Sequence, residues 1–129
     1  MTMTGGSGHC LCGSVSYDYQ GAPNWQAHCH CASCRGICSA AFTAFFAMSD
    51  GKWRWTGAEP ATYSHTPGAL RSFCATCGTP MAFRGDRWPD EIHFDAASLC
   101  DPAAFTPTLH VNYAEHLPWL HLADGLPRQ

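Results

Sequence analysis

The sequence predicts a mainly β protein: small antiparallel sheets joined by tight turns, with one or two short helical turns. Three observations carry this. Apolar and polar side chains alternate over short runs, the period of a half-buried strand. Glycine, proline, asparagine and aspartate recur between those runs, where turns need them. Seven of the nine cysteines stand in three tight groups. A close pair must find its partners elsewhere in the chain, so the groups tie distant segments together.

At 129 residues the chain suits one domain, and a chain of this size buries roughly two-thirds of its unfolded surface. Residues 1–8 read as a flexible segment rich in glycine, and residues 9–129 as a single domain. From Cys10 an extended backbone would put Cys10 and Cys12 on one face. Val15, Tyr17 and Tyr19 then alternate with Ser14, Ser16 and Asp18. Gly21-Ala22-Pro23-Asn24 turns the chain into a short strand over 25–28 that delivers Cys29. Residues 33–40 hold a helical turn. Residues 42–48 read as a strand buried on both faces, with Phe42, Ala44, Phe46 and Met48 on one and Thr43, Phe45 and Ala47 on the other. Ser49-Asp50-Gly51 turns again, and Trp53 and Trp55 share a face of the next strand. Strands over 61–65 and 70–73 flank Thr66-Pro67-Gly68. A strand over 80–84 completes a hairpin with a cysteine turn at its tip. Residues 91–95 are extended. Asp101-Pro102 reads as an N-cap followed by proline at the first helical position. Residues 109–112 are the last strand, and the tail 117–126 packs back on the body.

The net charge is −3 with histidine neutral, so no broad basic surface calls for nucleic acid. No apolar run approaches the ~20 residues of a membrane span. Neither nucleic acid nor membrane is expected as a partner. The opening residues carry no positively charged, apolar leader, which points to a reducing, cytoplasmic setting.

Clustered cysteines in a reducing compartment more often bind metal than pair as disulfides. Nine is an odd number, the pairs are too close for long-range bridges, and the spacings do not follow the common ferredoxin runs. Zinc takes thiolate sulfur in tetrahedral array. Cys10-x-Cys12 and Cys74-x-x-Cys77-Gly78 together offer four ligands, a closed structural site. Cys29, Cys31 and Cys34 offer three within one loop, which leaves a coordination position free, the mark of a catalytic metal.

The clustered cysteines stand in three motifs: Cys10-x-Cys12-Gly13; His28-Cys29-His30-Cys31-x-x-Cys34-Arg35; and Phe73-Cys74-x-x-Cys77-Gly78-Thr79-Pro80. Together they resemble the signature of the glutathione-dependent formaldehyde-activating family, which includes centromere protein V. The likeness runs on through Trp55-Thr56-Gly57, Pro89-Asp90-Glu91-Ile92, Asp101-Pro102 and Leu117-Pro118-Trp119. The resemblance implies an Mss4-like fold held by two zinc ions per chain. One is a structural zinc on Cys10, Cys12, Cys74 and Cys77. The second sits on Cys29, Cys31 and Cys34. It also implies a carbon–sulfur lyase that joins formaldehyde or a related small aldehyde reversibly to a thiol such as glutathione. Cys29, Cys31, Cys34 and Arg35 then form the catalytic set.

Several residues carry two readings. Cys38 lies four residues after Cys34, and on a helical turn the two share a face; it is either a fourth ligand that closes the second site or a buried small hydrophobe. Arg35 either faces a bound thiolate or caps the helical turn. Arg84 and Arg87 are weaker candidates for the carboxylates of glutathione. His28 and His30 point away from Cys29 in an extended stretch, which suits proton transfer better than ligation of the same ion. The other histidines show no metal spacing, and Cys100 stands alone. Two rival functions remain open: a non-catalytic, zinc-stabilised binding module, and a redox or metal sensor using the Cys29 group.

Overall fold

In the computed structural model, which describes residues 5–129, the alternating runs become strands of two sheets. The strands are β1 (Gly6–His9), β2 (Ser16–Tyr19), β3 (Trp25–Cys29), β4 (Thr43–Ser49), β5 (Trp53–Trp55), β6 (Ala61–Tyr63), β7 (Ala69–Phe73), β8 (Pro80–Gly85), β9 (Glu91–Asp95) and β10 (Leu109–Val111). Helix α1 (Ala32–Cys38) lies between β3 and β4. The smaller sheet has the order β1-β2-β5, and the larger runs β10-β3-β4-β9-β8-β7-β6. Every pairing is antiparallel except β10 on β3.

The core sits where the two sheets face each other. Tyr17 of β2 stacks on Phe94 of β9 with ring centroids 4.0 Å apart, and its hydroxyl meets the Ser98 hydroxyl at 2.8 Å. Phe46, Met48, Met81 and Ile92 are buried around this pair. Strand β4 is buried on both faces, as its composition predicts. Phe46 and Met48 join the inter-sheet core, while Phe45 packs with Cys29 and Cys34 on the other side. Asp18 is buried too, because the Arg54 guanidinium grips both its oxygens at 2.9 and 3.2 Å. A buried carboxylate needs such a partner.

The structure departs from the expected course at four places. Residues 6–8 of the segment expected to be flexible lie in β1; residues 1–4 are outside the described residues. Glycine makes this strand fit, since the Tyr17 ring stands where a Cβ at Gly8 would go. Main-chain bonds hold it, including Cys100 N–H to the Ser7 carbonyl at 2.9 Å. Residues 10–14 form a turn, not an extended run. Gly13 takes φ +84°, and its N–H donates to the Cys10 carbonyl at 3.0 Å. Short 3-10 turns form at Ala96–Ser98 and Tyr113–Glu115 as well as at the expected Pro102–Ala104. The chain end binds β10 through backbone bonds at His110, but Trp119 remains 66% exposed. Among the described residues no helix is long and apolar enough to cross a membrane.

Phe94 is fully buried at the centre of the aromatic stack. Replacing Phe94 with Ala should lower unfolding stability by about 3–5 kcal/mol, read from urea unfolding of the metal-loaded protein. A loss under ~1 kcal/mol would place the core elsewhere.

Candidate metal centres

Two turns build the first sulfur group. Cys10 and Cys12 lie on the β1–β2 connection, and Cys74 and Cys77 on the β7–β8 connection. In the second turn Gly78, at φ +80°, sends its N–H to the Cys74 carbonyl at 2.8 Å. The four sulfurs all lie within 4.8 Å of one another. Cys10 and Cys12 are 3.6 Å apart, and Cys12 and Cys74 3.8 Å. A tetrahedron with Zn–S bonds of about 2.3 Å needs sulfurs about 3.8 Å apart, so the donor set fits zinc. Backbone N–H groups of Val15, Thr76 and Cys77 donate to these sulfurs at 3.3–3.4 Å, as thiolates require. None of the nine cysteines is in a disulfide.

The second group is Cys29 at the end of β3, Cys31 in the following loop and Cys34 in α1. Its three sulfurs also lie within 4.8 Å of one another, and Cys29 and Cys34 are 3.8 Å apart. This set fits three positions of a tetrahedral ion. Hydrogen bonds from the Cys29 and Cys34 thiols hold Cys31 far below the usual thiol range. Asn112 Nδ2 donates to Cys29 Sγ at 3.3 Å. Cys38 does not join the group. Its thiol turns instead to Asp95 Oδ1 at 3.6 Å, and burial, with the Asp95 charge beside it, pushes it up to about 12.

The cation on the sulfurs is Arg71, which the sequence reading passed over. Both its terminal nitrogens stand 3.5 Å from Cys34 Sγ, and one donates to Ser33 Oγ at 3.2 Å. Its guanidinium lies 4.5 Å over the Phe83 ring. Arg71 is only 9% exposed, and no carboxylate pairs with it among the described residues. A buried guanidinium needs a negative partner; the sulfur of Cys34 is the one it contacts, and the Asp95 carboxyl shares a cavity wall with it. Arg35 faces elsewhere. It donates to the carbonyls of His30 and Glu115, both at 3.1 Å, and so clamps the loop to the segment after β10.

His28 and His30 do point away from the sulfurs. Asp124 Oδ2 accepts from His110 Nε2–H at 2.7 Å. His110 Nδ1 is then an acceptor, and it receives His30 Nε2–H at 2.8 Å. Burial, reinforced by the neighbouring His110, pulls His30 down to about 4. Neither histidine reaches the cavity beside the second group. That cavity has a volume of about 810 Å³. Its wall includes Cys29, Cys31 and Cys34, the rings of Trp25, Phe45, Phe83 and Trp88, and the charged groups Arg87 and Glu115. Arg84 is spent on Asp50, with contacts of 2.6 and 2.8 Å.

A family model described as glutathione-dependent formaldehyde-activating enzyme matches residues 6–115. No curated protein matches the chain. Among solved structures the chain is similar in fold to the crystal structure of a Rhodobacter sphaeroides protein. The identity is 21%, the match covers 75% of this chain and 92% of that one, and the TM-score is 0.62.

Two outcomes are expected. Arg71→Met should weaken metal binding at the Cys29 group by about 10–100-fold, measured by chelator competition, while Arg71→Lys should lose less; equal affinity in all three proteins would remove the charge argument. Asp95, pushed up to about 6 by burial, should titrate near that value in carboxyl 13C NMR. An aspartate in water titrates near ~3.9, and finding that value would contradict the buried placement.

Proposed function

The chain belongs to the glutathione-dependent formaldehyde-activating enzyme family, and from that premise we propose that it joins a small aldehyde reversibly to a thiol such as glutathione at the Cys29–Cys31–Cys34 centre. The observation that carries this reading is a three-thiolate group opening onto a large cavity. The four-thiolate group, by contrast, is complete.

Zinc, when bound, supplies a Lewis-acidic position at which an incoming thiol loses its proton. The chain's own residues do the rest. Cys29, Cys31 and Cys34 bring three negative charges against two positive ones, a balance of about −1. Arg71, packed on Cys34, offsets it. Asn112 fixes Cys29, and Arg35 fixes the loop between the first two cysteines. At the cavity wall the exposed Arg87 suits a carboxylate of glutathione, and Glu115 suits its ammonium. Glu115 already accepts from the Ala32 N–H at 3.1 Å through one oxygen.

The thiol sulfur attacks the carbonyl carbon. A carbon–sulfur bond forms, the carbonyl π bond breaks, and the oxygen takes up one proton in place of the one the thiol released. The reverse reaction frees the aldehyde. His28 and His30 do not line this cavity, so that proton travels through water or through His65 at the wall.

The reaction is tested by 13C exchange NMR with glutathione and 13C-formaldehyde. Wild-type protein should speed exchange between free formaldehyde and its adduct well beyond the protein-free rate. Cys29→Ser should abolish that gain while keeping the β circular-dichroism signature. Exchange at the protein-free rate with metal-loaded wild-type protein would overturn the reading.

A further inference from the structure

A second cavity, of about 430 Å³, adjoins the cysteine-lined one and shares Ile37, Tyr63 and Arg71 with it. It lies between the two sulfur groups. Helix α1 supplies Ile37 and Cys38, while the hairpin that carries the first group supplies Phe73, Gly78 and Pro80. Ser72, Ala82 and Asp95 complete it.

The chemistry of the wall is informative. Ile37, Phe73, Pro80 and Ala82 present hydrocarbon. Two of the polar groups are already engaged: the Cys38 thiol donates to Asp95 Oδ1, and Arg71 is turned to Cys34 and Ser33; the Tyr63 and Ser72 hydroxyls and the second Asp95 oxygen remain. An occupant therefore meets apolar surface and few free hydrogen-bonding groups. Its size also matters. A water molecule occupies about 30 Å³ in the liquid, and formaldehyde has only one heavy atom more. A cavity of about 430 Å³ is far too large for formaldehyde and suits a chain of several carbons or a small ring.

We propose that this cavity holds an apolar substituent on the aldehyde, so that the carbonyl partner of the centre is a medium-chain or aromatic aldehyde. The inference rests on the reaction proposed above. Glutathione, or another thiol, then occupies the larger cavity with its polar arms toward Arg87 and Glu115. The aldehyde's tail lies on Ile37 and Phe73, and its carbonyl carbon meets the sulfur where the two cavities join. Bond changes are those already given: the carbon–sulfur bond forms, the carbonyl π bond breaks, and the thiol's proton is replaced at oxygen.

The test compares hexanal with formaldehyde, each as acceleration over its own protein-free rate, with glutathione as the thiol. A buried methylene is worth about fourfold, so hexanal should gain about tenfold or more over formaldehyde. Ile37 stands on α1 at the shared wall and is 39% exposed, so the helix tolerates a change there. Ile37→Glu should reduce the hexanal-to-formaldehyde ratio about tenfold, while Ile37→Leu should keep it. A second readout needs no turnover. Hexan-1-ol, titrated into wild-type protein, should shift the amide signals of Ile37, Phe73 and Gly78 and leave those of β1 unmoved.

The outcomes separate. Formaldehyde accelerated without advantage to hexanal, or a ratio untouched by Ile37→Glu, overturns the inference and leaves the proposed reaction standing. If neither aldehyde is accelerated, the reaction itself falls, and with it the assignment of an aldehyde. Hexan-1-ol then decides whether the cavity is an apolar ligand site: local shifts keep it, and their absence removes it.

Discussion

Four sulfurs from segments more than sixty residues apart must stand within tetrahedral distance of one another, and the architecture follows from that constraint. Cys10 and Cys12 lie on a connection within the small sheet, Cys74 and Cys77 on one within the large sheet. A metal on all four would join the two sheets at one edge, while Tyr17 stacked on Phe94 joins them through the core. The backbone prepares this arrangement. Positive-φ glycines at 13 and 78 close the turns, and Leu11 N–H reaches across to Thr79 Oγ1 at 3.1 Å. Each N–H that donates to a sulfur favours the thiolate, which is the form that binds metal.

The second group is built on the same ligand chemistry but in different surroundings. Its cysteines come from a strand end, a loop and a helix, so a metal there would fasten α1 to the sheet instead of fastening sheet to sheet. One backbone N–H, that of Cys34, reaches Cys31 Sγ at 3.4 Å, and a whole guanidinium is brought to Cys34. Phe83 supports Arg71 from below, and the aromatic wall of Trp25, Phe45 and Trp88 lowers the local dielectric, which strengthens that ion contact. The same wall shapes a cavity. A metal on the first group would thus be enclosed by four sulfurs, and one on the second would face space where a fourth ligand could enter.

Much of this is legible in the sequence because its signals are local. Ligand spacing in Cys29-x-Cys31-x-x-Cys34 is set within six residues, and strand alternation within five or so. The interactions that were missed depend on pairings between distant strands. Arg71 reaches Cys34 across 37 positions because β7 pairs with β8, and β8 with β9, in the large sheet. Nothing in Ala69-Leu70-Arg71-Ser72-Phe73 distinguishes it from a surface arginine. The run Asp124–His110–His30 needs β10 to lie parallel to β3, a pairing that no local pattern encodes. Arg35 shows the opposite failure. It stands next to a ligand in sequence, but helical geometry turns it toward two carbonyls. Cys38 likewise lies one turn from Cys34, yet its thiol faces Asp95 across 57 positions, a contact that helical spacing alone does not encode.

The central claim is that the Cys29 group holds its own metal, separable from the one that supports the fold. Elemental analysis of zinc on protein purified without chelator tests it most directly, comparing wild type with Cys29→Ser. Two zinc ions per chain should fall to one, with the β circular-dichroism spectrum unchanged. One zinc in both proteins would contradict it, leaving a single structural metal and three thiols without a role.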